Sequence, residues 1–279
     1  MTKVGNQGTG PIQQQSQTGR TNQGAASASA KATTGSSQAQ VPARAGDSQQ
    51  TGAYAQGSIE PRQVSFGSSS GDFDVAAAIA DLRGRFVVDG KVPASKAEQL
   101  QDAVDGLFAN PAARKALIEH FSLHSPPNQN ALVAVTAVES GDNGDMGEVM
   151  SAVMNRTLAK NLLSEMTGRR DRYSIQSTVN ESGQFSSKKA VNNMLRGRDT
   201  PSHHLANFGP DAREVLKKVL AGQSRFSHDA SGTYFFNQGG FPAGTDFKVG
   251  VHHYSDRNSR DTSYVGSVLH DFGKLNWNQ

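Results

Sequence analysis

Glu139 is the acidic side chain in this sequence whose setting suits proton transfer. Leu132, Val135 and Val138 fall on the same helical face as Glu139, so the carboxyl stands at the end of an apolar stripe instead of opposite it. An acid that must protonate a leaving oxygen near neutrality needs a raised pKa, and partial burial against apolar neighbours is the ordinary way to obtain one. Glu139 is placed for that role, although a Glu at a helix end is by itself more often solvated, so the weight falls on what surrounds it. Asp142, Asn143 and Asp145 follow on a polar stretch where a hydrolytic enzyme could find a base to activate water. The same cluster lacks the remaining ligands of a twelve-residue calcium loop, and a solvated turn is the better reading.

Longer segments give Glu139 its context. Val138-Glu139-Ser140-Gly141 is followed by Gly147-Glu148-Val149-Met150-Ser151-Ala152-Val153-Met154-Asn155-Arg156. Further on come Ser174-Ile175-Gln176-Ser177-Thr178-Val179, leading into Gln184-Phe185-Ser186, then an Ala-rich stretch from Ala212 to Gly222, then Gly232-Thr233-Tyr234-Phe235-Phe236-Asn237. Taken in order from Leu132 to about Pro242, the set resembles the SleB-type cell-wall hydrolases, the spore-cortex-lytic family. The sequence departs from that family's pattern at Asn143, where a second Glu is common, and at Phe236, where His is frequent.

The resemblance implies a lysozyme-like fold and cleavage of peptidoglycan glycan strands between N-acetylmuramic acid and N-acetylglucosamine, by a lytic transglycosylase or a muramidase. Glu139 would first protonate the leaving oxygen and then, as carboxylate, deprotonate the C6 hydroxyl of the sugar, which attacks the anomeric carbon. That route dispenses with the second carboxylate that ordinary glycosidases need. Gln184, Ser186, Tyr234 and Asn237 each offer hydrogen bonds beside aromatic surface and are the expected contacts for sugar hydroxyls and acetamido groups, whereas Phe185 is expected in the core.

Other signals carry less. The pairs His203-His204 and His252-His253 invite a zinc site, but adjacent residues do not normally face one ion and no His-Glu-x-x-His run is present. His228-Asp229 with nearby serines lacks the Gly-x-Ser-x-Gly elbow of a nucleophilic triad. With no cysteine in the chain, thiolate chemistry and disulfides are excluded. No metal and no cofactor are expected.

The elements that must position these residues read as mainly helical. A first helix over 72–86 presents Ile79, Leu82 and Phe86; a second starts from Ser95 as N-cap with Glu98 three residues on; a third starts at Pro111 and stops before Pro126 and Pro127. A helix from Asn128 to Glu139 carries the acid, and another from Met146 is expected to end at Asn155 and Arg156. Helices over 188–195 and 210–221 follow, while 232–247 and 252–272 suit short strands or ordered loops. The fold class is mainly α (α+β): a lysozyme-like helical domain over 128–279 with a few short strands, a helical packing segment over 72–127, and a disordered tail over 1–71.

That tail is rich in Gly, Ser, Gln, Thr and Ala, and cannot bury enough apolar surface to offset its ordering entropy. Its cations Lys3, Arg20, Lys31, Arg44 and Arg62 face only Asp47 and Glu60, which accounts for the whole net charge of +3. The rest is formally neutral, so no nucleic-acid surface is indicated. No stretch reaches the length of a membrane span, about 20 apolar residues, and the N-terminus lacks the apolar core of a secretory signal. The tail is similar to the export signals of type III secretion substrates, though a plain linker fits as well. The expectation is therefore a monomer exported to the periplasm or beyond without a cleaved signal, with a secretion apparatus as the candidate partner of the tail. The alternative is an exported interaction protein that keeps a lysozyme-like body as a non-catalytic glycan-binding scaffold.

Overall fold

The computed structural model describes residues 72–141, 144–181, 185, 188–197, 203–242, 244–258 and 263–278; the expected tail lies outside them. The described part is built around a long helix, α5 (Met146–Met166), whose side chains are buried on nearly every side. A helix enclosed all round has no polar face to set a period. That explains why its start is legible in Met146, Val149, Met150 and Val153 while its end is not. The expected stop at Asn155 and Arg156 is corrected: both lie in mid-helix and are buried. The true end is closed from outside, where Arg83 donates from Nε to the Met166 carbonyl (2.8 Å) and from Nη2 to the Glu165 carbonyl (2.6 Å), satisfying acceptors that a helix terminus leaves open.

Arg83 belongs to α1 (Val75–Phe86), which starts where the Asp74 carboxylate accepts from the Ala77 amide at 2.9 Å. It buries Ile79, Leu82 and Phe86 as the spacing predicts. After β1 (Val92–Pro93) and a single 3-10 turn over Ala94–Lys96, α2 (Ala97–Ala109) runs one residue later than expected: Ser95 sits inside the turn and Lys96 takes the N-cap position. In α3 (Pro111–His120) the Asn110 side chain accepts from the amides of Ala112 and Ala113, and Pro111 stands in the first turn, where its missing N–H costs nothing.

Helix α3 ends before Pro126 and Pro127 as expected, and by the same logic those two prolines open α4 (Pro126–Glu139), two residues ahead of its expected start at Asn128. From Ala131 to Ala137 this helix is continuously buried, packed by α5, α6 (Ile175–Val179), α7 (Lys188–Leu195) and α8 (His203–Leu220). Pro210 lies within α8, so that helix begins a turn and more before the expected start.

Short strands complete the unit. β2 (Phe235–Asn237), β3 (Phe247–Val249) and β4 (His252–Ser255) form an antiparallel sheet in the order β2-β4-β3, with Phe236 opposite Tyr254 and Val249 opposite His252. The second aromatic segment also contains a helix, α9 (Tyr264–Asp271), capped by the Ser263 hydroxyl and packed on α2 and α5. Finally β5 (Leu275–Asn276) pairs in parallel with β1, Val92 opposite Leu275. The fold is mainly α with a few short strands, as the sequence predicts.

Candidate active site

Glu139 is the last residue of α4 and is half-buried. The chain turns sharply behind it, through Gly141 (φ 54°) and Gly144 (φ 76°), backbone conformations that side chains with a Cβ rarely adopt. Asp142 and Asn143 lie outside the described residues. Asp145, expected on a solvated turn, is instead fully buried. Its Oδ1 accepts from the Ser140 hydroxyl at 2.5 Å, and its Oδ2 from His252 Nδ1 and the Tyr254 hydroxyl, each at 2.7 Å. Burial alone would raise this carboxyl, but the donors from His252, Ser140 and Tyr254 outweigh it and hold Asp145 below the usual aspartate range. An ionised carboxylate facing His252 Nδ1 requires that nitrogen to carry the proton.

A cleft of about 440 Å³ opens beside this turn, within the range of small-molecule sites. It is lined by Gly141, Gly144 and the α5 residues Met146, Gly147 and Glu148, by Phe208, Asp211 and Val215 of α8, and by Phe226 and Ser227; Glu139 stands two residues before the first of these and is not itself in the lining. Phe226 lies flat on the start of α5: a Cβ on Gly147 would stand 2.2 Å from its Cγ, so only glycine permits this approach. Glu148 is buried, and its Oε1 accepts from the Ser227 amide (3.0 Å), the His228 amide (3.2 Å) and the Ser227 hydroxyl.

The expected sugar contacts fare unevenly. Gln184 and Ser186 lie outside the described residues. Tyr234 is fully buried; its hydroxyl donates to Asp105 Oδ1 at 2.6 Å and its ring stacks on Tyr264 at 4.6 Å between centroids. Its place as a ligand contact is corrected, because the only polar atom of the side chain is turned into the scaffold. Asn237 is half-buried and its Oδ1 accepts from the Gly239 amide at 2.8 Å, which shapes the turn after β2; it does not line the cleft. Phe185 is buried, 5.9 Å from Phe236, with the Arg156 guanidinium 5.2 Å from its ring centroid. The Gln-Phe-Ser and Tyr-Phe-Phe-Asn segments thus do meet, through Phe185 and Phe236, but away from that cleft.

Asn155 has a structural task. Its Nδ2 reaches the carbonyls of Ala230, Ser231 and Thr233 at 2.7, 3.0 and 2.9 Å, and its Oδ1 accepts from the buried Arg114. It thereby fixes the approach to β2. The two histidines of β4 diverge: His252 turns to Asp145, while His253 Nδ1 lies 3.2 Å from Thr245 Oγ1. Among the described residues no group of three or more acidic or histidine side chains gathers as a metal site. His228 stacks on Phe247 at 4.7 Å, and the Asp229 carboxylate is taken by Arg225 and the Ser231 amide, so the two form no triad. No described helix is long and apolar enough to cross a membrane.

No family model, curated protein or solved structure matches the chain. Function rests on the site itself. Glu148 is the residue that sequence reasoning passed over: the spacing Asp145-x-x-Glu148 reads as an ordinary helix start.

Proposed function

We propose that the chain cleaves peptidoglycan glycan strands between N-acetylmuramic acid and N-acetylglucosamine, with Glu139 as general acid and then general base. One observation carries the reading: a half-buried carboxyl ends a helix that is sealed in the core from Ala131 to Ala137, and the chain leaving it lines a cleft of about 440 Å³ within two residues, at Gly141. Phe208, Val215 and Phe226 offer apolar surface for a sugar ring or an acetamido methyl, and Ser227 offers a hydroxyl. Asp145, the nearest described carboxylate in sequence, is fully engaged with Ser140, His252 and Tyr254 and cannot accept a proton from water without breaking them. Attack by the sugar's own C6 hydroxyl, the lytic transglycosylase route, needs no second carboxylate as base and leaves that network intact.

The test is release of soluble fragments from isolated sacculi by the purified chain, with products read by mass spectrometry. Anhydro-muropeptides are expected, and Glu139→Gln is expected to lower the rate by at least about a hundredfold, the scale of a lost general acid. Full activity in Glu139→Gln would remove the assignment. A second reading, a non-catalytic glycan-binding protein, is favoured by the withdrawal of Tyr234 into the core. Saturable binding to sacculi without released fragments would select it. Either reading places the protein outside the cytoplasm, and export through the N-terminal tail by a type III apparatus is the accompanying proposal. Loss of export on deleting residues 1–71 tests it.

A further inference from the structure

Asp145 and Glu148 have the spacing of a capping box, in which the first residue's side chain binds the amide three residues on and the second's returns to the first amide. Neither carboxylate does this. Asp145 occupies the N-cap position of α5 without a side-chain cap bond, and both carboxylates are buried and spent elsewhere. They point to different partners: Asp145 to Ser140, the residue after Glu139, and to His252 and Tyr254 of β4; Glu148 to Ser227 and His228, next to Phe226. Both sets of partners border the cleft: Gly141, which follows Ser140, lines it, and so do Phe226 and Ser227.

We infer that the first turn of α5 is a brace in which Asp145 positions the turn that follows Glu139 and Glu148 positions Phe226 and Ser227, which receive the ligand. The inference rests on the reading of Glu139 as the acid and deepens it by assigning two positioning residues. The two arms act on different quantities. The Asp145 arm sets where the proton donor stands, and a displacement of about 1 Å of a reacting group can cost on the order of a hundredfold in rate. The Glu148 arm sets where Phe226 and Ser227 stand, and these would meet the ligand before and after bond cleavage alike, so its loss weakens binding.

The experiment uses the full chain on soluble glycan strands prepared from sacculi. Ser140→Ala cuts the acid-side arm without touching Asp145, Glu148→Ala cuts the other arm, and Glu148→Gln keeps an oxygen that can accept from Ser227 and His228. Ser140→Ala is expected to lower kcat by about 10- to 100-fold with KM nearly unchanged. Glu148→Ala is expected to raise KM by about tenfold with kcat nearly unchanged, and Glu148→Gln to restore most of it. Amide hydrogen exchange gives a readout independent of catalysis: Ser140→Ala should speed exchange at Gly141 and leave Ser227 and His228 alone, and Glu148→Ala the reverse. Parallel changes in kcat and KM in both variants, or exchange that rises at Gly141 as well as at Ser227 and His228 under either substitution, would overturn the brace. If the unaltered chain releases no fragments, the reading of Glu139 falls, and the exchange pattern alone decides whether the brace stands.

Discussion

Two aspartates in this molecule each accept a hydrogen bond from a buried tyrosine, yet they are shifted in opposite directions. Asp145 takes Tyr254, His252 and Ser140 and is held below the ordinary range. Asp105 takes Tyr234 and Gln101, stands near Asp102 and Asp256, and is pushed up to about 7, chiefly by burial. Yet Asp145 is fully enclosed whereas Asp105 keeps an exposed edge. Burial raises both carboxyls, and the donors and neighbouring charges decide whether the rise survives: three donors overcome it at Asp145, whereas two donors beside Asp102 and Asp256 do not at Asp105. The carboxylate beside the candidate acid is fixed as an anion, while the one in the scaffold becomes neutral as the pH falls through about 7.

The largest effect should come from removing the better-satisfied member. Asp145→Ala leaves His252, Tyr254 and Ser140 facing a void with three buried donors unpaired, and a loss of about 3–5 kcal/mol in urea denaturation is expected, as for other broken buried pairs. A loss under about 1 kcal/mol would mean that the network is ornamental. Next comes Asp105→Asn. The folded carboxyl titrates near 7 against a reference value of 3.8, so its contribution to stability is fully present below about 3.8 and is lost as the pH rises through 7. Asn keeps the shape without the charge. The variant should therefore gain stability over the parent at pH 8 by up to about 4 kcal/mol, less what the exposed edge of Asp105 screens, and should match it near pH 4. Asp145 has the opposite sign: its contribution is present above 3.8 and disappears as acid protonates it, so the Asp105→Asn variant should keep the acid limb of the pH profile and lose the neutral one. Equal stability of the variant and the parent across pH 4–8 would erase the contrast.

Why one of these aspartates looked solvated in the sequence is a matter of range. Local pattern carried the helices: the stripe of Leu132, Val135 and Val138 placed Glu139 at a helix end, and Pro111 and the apolar spacing before Phe86 marked elements that exist. Pattern failed where polar residues are buried by partners distant in the chain. Asp145 meets residues more than a hundred positions away, and Asn155 and Arg156 sit inside α5 because Arg114 and the carbonyls around Ser231 satisfy Asn155 while aromatic rings surround Arg156. Tyr234 failed for the same reason, since its partner Asp105 lies on α2. The helix α9 was missed because Gly266 and Ser267 dilute its apolar set, although Tyr264, Val265, Val268 and Leu269 do repeat at helical spacing.

The finest test of the contrast removes the two tyrosine hydroxyls in turn. Tyr254→Phe deletes one of three donors to Asp145 but leaves His252 and Ser140, so the carboxylate stays ionised at neutral pH. The expected loss at pH 7 is about 1–2 kcal/mol, the scale of a bond to a charged group. Tyr234→Phe strips Asp105 of its stronger donor, leaving Gln101 Nε2 at 2.8 Å. Here the loss depends on pH, because the Tyr234 hydroxyl is among the groups that hold the Asp105 carboxyl down. Without it the titration should move further up, so that the neutral limb of the stability profile shifts to higher pH in Tyr234→Phe, while Tyr254→Phe leaves that limb where it was. Carboxyl titrations followed by NMR in the two variants would read the difference directly. A shift of the neutral limb in Tyr254→Phe and none in Tyr234→Phe would reverse the assignment of which pair sets the response near pH 7.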